Sequence, residues 1–501
     1  MNKIEALKAA RDGLDVTEDL IRFAREGWKT IADDDKERLK WVGVFHRRPT
    51  PGHFMMRIRM PNGIVTAAQA RLLAEITRES GRNIADITTR QQVQLRWVTI
   101  ENVPGVVDRL NAAGLSSLQT GMDNIRGIVG CPATGLTPRE LVETAPIAAA
   151  FQQIFLGNKA FTNLPRKFNV TITGCLENCT GPETQDISMT PAVRATADGD
   201  VAGFNLAVGG KQGSGGPTFA TPLDAFVLPD EAAEVCATIA LVYRDHGPRE
   251  ARSKARLAFL IEEWGGPRFR AELEERLKRP LPSAGREARL PRTTDHIGIF
   301  RQKQGGLNYV GLKTPVGRVT ADQLFELARL SEIYGQGELR VTPLQNVIIP
   351  HVPDARLGDL TQEPLLRELP YNPSEVMRGQ VSCTGTDFCN LALIDTKTRA
   401  MALARDLEQR IGSTRPISVR WSGCPASCGN HHTADIGLQG CKIKVNGKIV
   451  DGVHVSVSGR GGMDPRAGIR ILEDMPCDEL PAVLERLIRF LPRGERKDRE
   501  S

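Results

Sequence analysis

Two stretches of the chain carry the same succession of hydrophobic and polar positions. In the first, F-M-M-R-I-R-M-P-N-G-I-V-T-A over 54–67 leads into a helical run and then into the alternating run I-T-T-R-Q-Q-V-Q-L that begins at Ile87. In the second, L-N-Y-V-G-L-K-T-P-V-G-R-V-T-A over 307–321 leads into a helical run and then into V-T-P-L-Q-N-V-I-I from Val341. Pro61 and Pro315, Gly63 and Gly317, Thr66 and Thr320, Gln91 and Gln345, and Val93 and Val347 all stand 254 residues apart. Alternation predicts strands, and spacing near 3.6 predicts helices. Each copy is therefore predicted to run strand, helix, strand, and the chain to be a duplicated α/β protein.

The repeat continues downstream. Arg126-Gly127 matches Arg378-Gly379, and Cys131 matches Cys383, at an offset of 252. V-T-I-T-G-C-L-E-N-C from Val170 lies over V-R-W-S-G-C-P-A-S-C from Val419 at 249, as do Asp186 over Asp435 and Gly210 over Gly459. Between the copies, 231–277 reads as helical, with Val235, Ile239, Leu241 and Val242 and then Leu257, Leu260 and Ile261 as its apolar positions. The Pro- and Arg-rich 281–296 reads as a linker. Residues 1–50 read as an N-terminal helical segment with Leu20, Ile21 and Phe23 packing inward, and 494–501 as a polar tail. The repeat places half-domains at 51–123 and 297–370 and larger domains at 124–280 and 371–493.

With 501 residues, 40% of them hydrophobic and 25% charged, the composition is that of an ordinary globular protein of several domains. No apolar run reaches the roughly 18 residues of a membrane helix, and the first 30 residues are charged rather than signal-like, so a cytoplasmic protein is expected. Ten cysteines, several in a metal-like pattern, fit a reducing compartment. The net charge of +6 suits docking of an acidic electron carrier or neutralisation of an internal polyanion. The arginines are dispersed among apolar residues rather than gathered into a basic block, which argues against nucleic acid.

The candidate chemistry lies in 381–429. Cys383, Cys389, Cys424 and Cys428 are spaced C-x5-C and, after 34 residues, C-x3-C. Zinc pairs are usually spaced C-x2-4-C, so the wider first gap favours an iron–sulfur centre. Free thiols, two disulfides or a zinc-stabilised binding protein are the alternatives. The first copy keeps Cys131, Cys175 and Cys179 but has Thr137 where Cys389 would fall. Three thiols do not make a four-cysteine cluster, so a structural role is expected of them. Cys236, Cys441 and Cys477 fit no pattern, and the adjacent His431 and His432 read as structural. Neither glycine-rich turn, V-G-G-K-Q-G-S-G-G from Val208 or S-G-R-G-G from Ser458, has the nucleotide-binding pattern.

With G-C-P-A-S-C-G around its second pair, this spacing resembles the siroheme and [4Fe–4S] site of the nitrite and sulfite reductases. The resemblance extends over about 38–491 and includes the lead-in R-L-K-W-V-G-V-F-H-R-R-P. It implies a duplicated ferredoxin-like α/β (α+β) fold of three lobes around one siroheme, with an internal pseudo-two-fold repeat. All four cysteines would bind the cluster, and Cys428 would also bridge to the siroheme iron. Arg57, Arg126, Lys167 and Asn169 match the family's substrate positions, and Arg90 matches an arginine that contacts siroheme. Arg59, Arg96 and Arg166 belong to the same set of cations, which eight buried siroheme carboxylates require. Lys167 is then a candidate proton donor, with Arg57 and Arg126 holding charge and water.

The resemblance further implies a monomer that takes electrons from ferredoxin. Asn169, two positions after Lys167, is usually lysine in the sulfite enzymes and asparagine in the nitrite enzymes. The expected reaction is therefore nitrite to ammonium by six electrons, with sulfite to sulfide as the rival. A family member of cobalamin synthesis without reductase activity is disfavoured by the intact Arg57, Arg126 and Lys167.

Overall fold

In both copies the aligned stretch folds into a strand, a tight turn, a short strand and a long helix. His53–Ile58 and Leu307–Leu312 are the long strands, and Ala67–Ser80 and Ala321–Tyr334 are the helices. Both helices start with the same capping box, Thr66 with Gln69 and Thr320 with Gln323, each pair satisfying two otherwise orphaned N–H groups. The turn before each helix holds a left-handed residue, Asn62 (φ 54°) or Val316 (φ 47°), followed by a left-handed glycine. A side chain on Gly63 would collide with the carbonyl of Val341, and one on Gly317 with that of Ile87, so the two copies meet backbone to backbone there. The computed structural model describes residues 2–412 and 414–490; the polar tail expected at 494–501 lies outside the described residues.

Four sheets are built from the strands. The first runs Val44–His46, His53–Ile58, Val93–Thr99, Ala85–Ile87 and is completed by Arg318–Val319 from the second copy. Its counterpart runs Gly298–Arg301, Leu307–Leu312, Val347–Pro353, Glu338–Val341 and is completed by Ile64–Thr66 from the first copy. Each half lends the other an edge strand. Their two long helices pack together, with Arg71 paired to Glu332 and Arg78 to Asp322 at 2.6 Å. One apolar core, including Leu73 and Leu95 with Leu327 and Val347, runs through both half-domains.

The other two sheets share one topology. Ile125–Val129, Phe168–Ile172 and Ile187–Thr196 pair in parallel, and Gly199–Val208 and Thr221–Val227 extend the sheet antiparallel. Gln380–Ser382, Val419–Ser422 and Ile436–Val445, then Lys448–Val457 and Ile469–Pro476, repeat the pattern. The loops leaving the first two parallel strands of each sheet carry Cys131, Cys175 and Cys179 in one copy and Cys383, Cys389, Cys424 and Cys428 in the other.

Several expectations are corrected. The alternating runs from Ile87 and Val341 are hairpins, not single strands, because Gln91 (φ 50°) and Gln345 (φ 66°) turn the chain back. Thr88 secures the first turn by accepting from the N–H groups of Arg90 and Gln92, both at 3.2 Å. The helical stretch 231–277 is divided into Ala232–His246 and Leu257–Leu277, since Gly247-Pro248 ends the first helix. Leu20 and Phe23 are buried, but Ile21 is 76% exposed, being about 100° around the helix from Leu20. Residues 44–46, assigned to the N-terminal helical segment, form a strand instead. Within 281–296, Arg286–Glu287 pairs with the strand Ile187–Thr196, and Asn178 donates to the carbonyls of Leu290 and Arg292, so this linker is laid against the first copy.

Candidate cofactor and anion site

A cleft lies where the first copy's hairpin turn meets the second copy's cysteine loops. Cys383 follows Gln380–Ser382 and Cys424 follows Val419–Ser422; with Cys389 and Cys428 they line the cleft, and none is in a disulfide. The backbone already serves their sulfurs: Gly423 N–H donates to Cys383 Sγ at 3.1 Å and Leu391 N–H to Cys389 Sγ at 3.4 Å. Such N–H···S bonds stabilise thiolates that ligate a cluster. Opposite, the hairpin turn brings Thr89 and Arg90, and Thr89 Oγ1 donates to the carbonyl of Cys428 at 3.1 Å.

The cleft continues into a smaller recess lined by Arg90, Lys167, Asn169, Gln212 and Ser427. Asn169 accepts from Arg90 Nε at 3.3 Å, and its own N–H donates to Asp186 at 2.8 Å. Gln212, from the first glycine-rich turn, accepts from Ser427 at 3.0 Å, so that turn reaches across to the cysteine loop.

Electrostatics set this place apart. Burial lowers the pKa of Arg57, and Arg126, Arg90, Arg47 and Arg96 lower it further. Burial, Arg90 and Arg166 push Arg126 down to about 9, which leaves it a cation at neutral pH. Lys167 falls well below the usual lysine range through burial, Arg256, Arg90 and Arg126, although Cys428 opposes the shift. Among the described residues Arg47, Arg57, Arg90, Arg126 and Lys167 make no ion pair with a carboxylate, and the Nε of Arg47 has no hydrogen-bond partner. Cations gathered this closely, none of them ion-paired with a carboxylate, fit a polyanion. The siroheme implied by the resemblance therefore fits the donor set, as a [4Fe–4S] cluster fits the four cysteines.

Not every expected residue faces the cleft. Arg59 donates to the carbonyls of Leu118, Gln119 and Ile125 and lies over the ring of Phe155, so it packs away from the anion site. Arg126 donates twice to the carbonyl of Met122, at 2.9 and 2.7 Å. Arg96 lines the cleft but is tied to Asp86 at 2.6 Å. Arg166 stands 4.0 Å from Asp123.

Sequence reasoning missed Arg47, which lines the cleft and shares the ring of Phe45 with Arg57, each 5.0 Å from its centroid. Its position in the F-H-R-R-P lead-in was the available signal. Asp86, Arg256 and Lys397 were missed too. Arg256 grips Asp186 through two hydrogen bonds, of 3.1 and 2.7 Å, beneath Asn169.

Known proteins match this chain along nearly its whole length. The family described as "Nitrite and sulphite reductase 4Fe-4S domain" matches residues 121–281 and 374–501. The "Nitrite/Sulfite reductase ferredoxin-like half domain" matches 46–113 and 300–366. The chain is 44% identical over 495 residues to the ferredoxin–nitrite reductase of Synechococcus elongatus, covering 97% of this chain and 96% of that one. It is 38% identical over 519 residues to the assimilatory ferredoxin-dependent nitrite reductase of Haloferax mediterranei, covering 97% and 88%. The structure of the Mycobacterium tuberculosis NirA protein superposes with a TM-score of 0.92 at 33% identity, covering 99% of this chain and 95% of that one.

Proposed function

The chain belongs to the nitrite and sulfite reductase family, and from that premise we propose that it is a ferredoxin-dependent nitrite reductase that takes nitrite to ammonium. Its cofactors are siroheme and a [4Fe–4S] cluster. When bound, they supply the iron that takes the anion and the route by which ferredoxin's electrons reach it.

The protein's own part is ligation, charge and protons. Cys383, Cys389, Cys424 and Cys428 hold the cluster, with Cys428 facing the cleft. Arg47, Arg90 and Arg96 offset cofactor carboxylates along the wall. Arg57 keeps positive charge in the cleft, and Arg126, held to the carbonyl of Met122, adds charge from behind it. Burial and neighbouring arginines lower the pKa of Lys167, a bound anion favours its ammonium again, and Lys167 is so placed to be the proton donor. Asn169, oriented by Arg90, presents a neutral group where a dianion would call for another cation.

The observation that carries this reading is the set of unpaired cations around Asn169 and Lys167 against the four-cysteine loop. We further assign the enzyme to the cytoplasm as a monomer. All ten cysteines being free supports a reducing compartment, and no helix among the described residues is long and apolar enough to cross a membrane. The deciding experiment is an anaerobic assay with reduced ferredoxin, offering nitrite and sulfite separately. Ammonium is expected to form much faster than sulfide; preferential sulfide would reverse the substrate assignment and leave the cofactors standing.

A further inference from the structure

Three thiols of the first copy converge away from the anion site. Cys131 follows Ile125–Val129, and Cys175 and Cys179 lie on the loop after Phe168–Ile172. Their sulfurs all fall within 4.8 Å of one another, all three are buried, and none is in a disulfide. The repeat supplies no fourth thiol, because Thr137 stands in that place. A histidine from the segment joining the copies approaches instead. His296 Nε2 lies 3.5 Å from Cys131 Sγ, and its Nδ1 lies 3.0 Å from the hydroxyl of Tyr309.

The geometry points to a second, mononuclear metal centre in which Cys131, Cys175, Cys179 and His296 hold a zinc ion.

Distances decide between zinc and a cluster. Zn–S bonds of about 2.3 Å in a tetrahedron place sulfurs roughly 3.8 Å apart, which the spread of these three allows. Among the described residues the four second-copy cysteines do not form such a close group, as a larger iron–sulfur centre requires.

The surroundings fit as well. The Tyr309 hydroxyl on Nδ1 holds the imidazole with Nε2 toward Cys131 Sγ, from which a small turn of the ring brings it to an ion held by the three thiols, and Glu177 N–H donates to Cys175 Sγ at 3.4 Å. His296 is 1% exposed and has a left-handed backbone (φ 57°). It crosses Gly311 so closely that any side chain there would strike its carbonyl. This costly conformation accompanies the approach of the ring to Cys131. Zinc binding releases the thiol protons to solvent and leaves a redox-inert centre of one net negative charge. It ties the first copy's large domain to the joining segment, and through Tyr309 to the second half-domain.

This inference does not depend on nitrite being the substrate. Holoenzyme purified from zinc-supplemented cells should contain about one zinc per chain beside the iron of siroheme and cluster. Its zinc-edge X-ray absorption should show three sulfurs at about 2.3 Å and one nitrogen at about 2.0 Å. Cys175→Ser should lose the zinc and keep the siroheme absorption bands. Tyr309→Phe, which keeps all four ligands, should yield zinc to a chelator roughly tenfold more readily. Wild-type protein that stays zinc-free on titration with Zn2+ alone overturns the proposal, even should the serine variant fail to fold. So do a different ligand set at the edge, or iron in excess of siroheme and cluster with no zinc.

Discussion

The carboxylate of Asp86 lies 3.3 Å from the ammonium of Lys397 in the other copy, and both side chains are 3% exposed. The same carboxylate takes Arg96 at 2.6 Å and Arg318 at 3.1 Å. One acid thus serves three cations, two of them from the second copy, in the wall of the cofactor cleft. Burial alone would raise its pKa, but Lys397, Arg96 and Arg318 hold it far below the usual carboxylate range.

Asp86→Asn should cost about 3–5 kcal/mol of stability, since it leaves Arg96 and Lys397 buried without a counter-charge. Urea unfolding of the purified variant measures this. A loss below about 1 kcal/mol would mean that the network contributes little.

Lys313 should make stability depend on pH. Its ammonium donates to the carbonyl of Gln380 at 2.8 Å, and burial pushes its pKa down to about 7. Between that value and about 10.4 the unfolded chain binds more protons than the folded one. This group's contribution therefore improves as pH rises through the window and is worst below it. Lys313→Met should reduce the slope of stability against pH there by up to about 1.4 kcal/mol per unit. Unfolding curves at a series of pH values test this, and identical slopes would refute it.

Removing the ammonium in Lys167→Met should lower kcat by roughly 10²–10⁴ while siroheme and iron content stay at wild-type levels. Burial and its cationic neighbours lower the pKa of Lys167, so wild-type activity should decline on the alkaline side before the ordinary lysine range. Lys167→Arg should move that limb upward. A limb that stays put in the arginine variant would assign it to another group.

Asn169→Lys places a second ammonium beside Arg90, 3.3 Å from the present amide oxygen. The ratio of kcat/KM for sulfite over nitrite should rise by roughly tenfold or more. Steady-state assays of both anions measure it; if neither activity changes, Asn169 does not select the substrate.

Much of this was legible in the sequence. The repeat showed itself because paired Pro, Gly and Thr positions keep their spacing, and the four cysteines of the cleft because each pair is local. The direction of individual arginines was not legible. Arg57 and Arg59 have the same parity, yet Arg59 stands one residue past the strand's end and turns to backbone carbonyls. Periodicity also missed the turn at Gln91, because an apolar alternation does not register a left-handed residue inside it. That turn is what delivers Arg90 to the cleft. The sharing of Asp86 was hidden for a similar reason, since two of its three partners lie in the other copy and alternation reveals faces but not partners.

The exchanged edge strands bear on how the molecule is made. On the ribosome the first half-domain emerges with the edge at Ala85–Ile87 open, and Arg318, which pairs with Asp86 there, follows only 232 residues later. An open edge of this kind invites foreign strands. Neither half reaches its final form alone, so synthesis must keep the first in waiting until the second arrives. A gene split between the copies would yield two chains that each need the other to close a sheet, and co-expression would be the condition for either to be recovered folded.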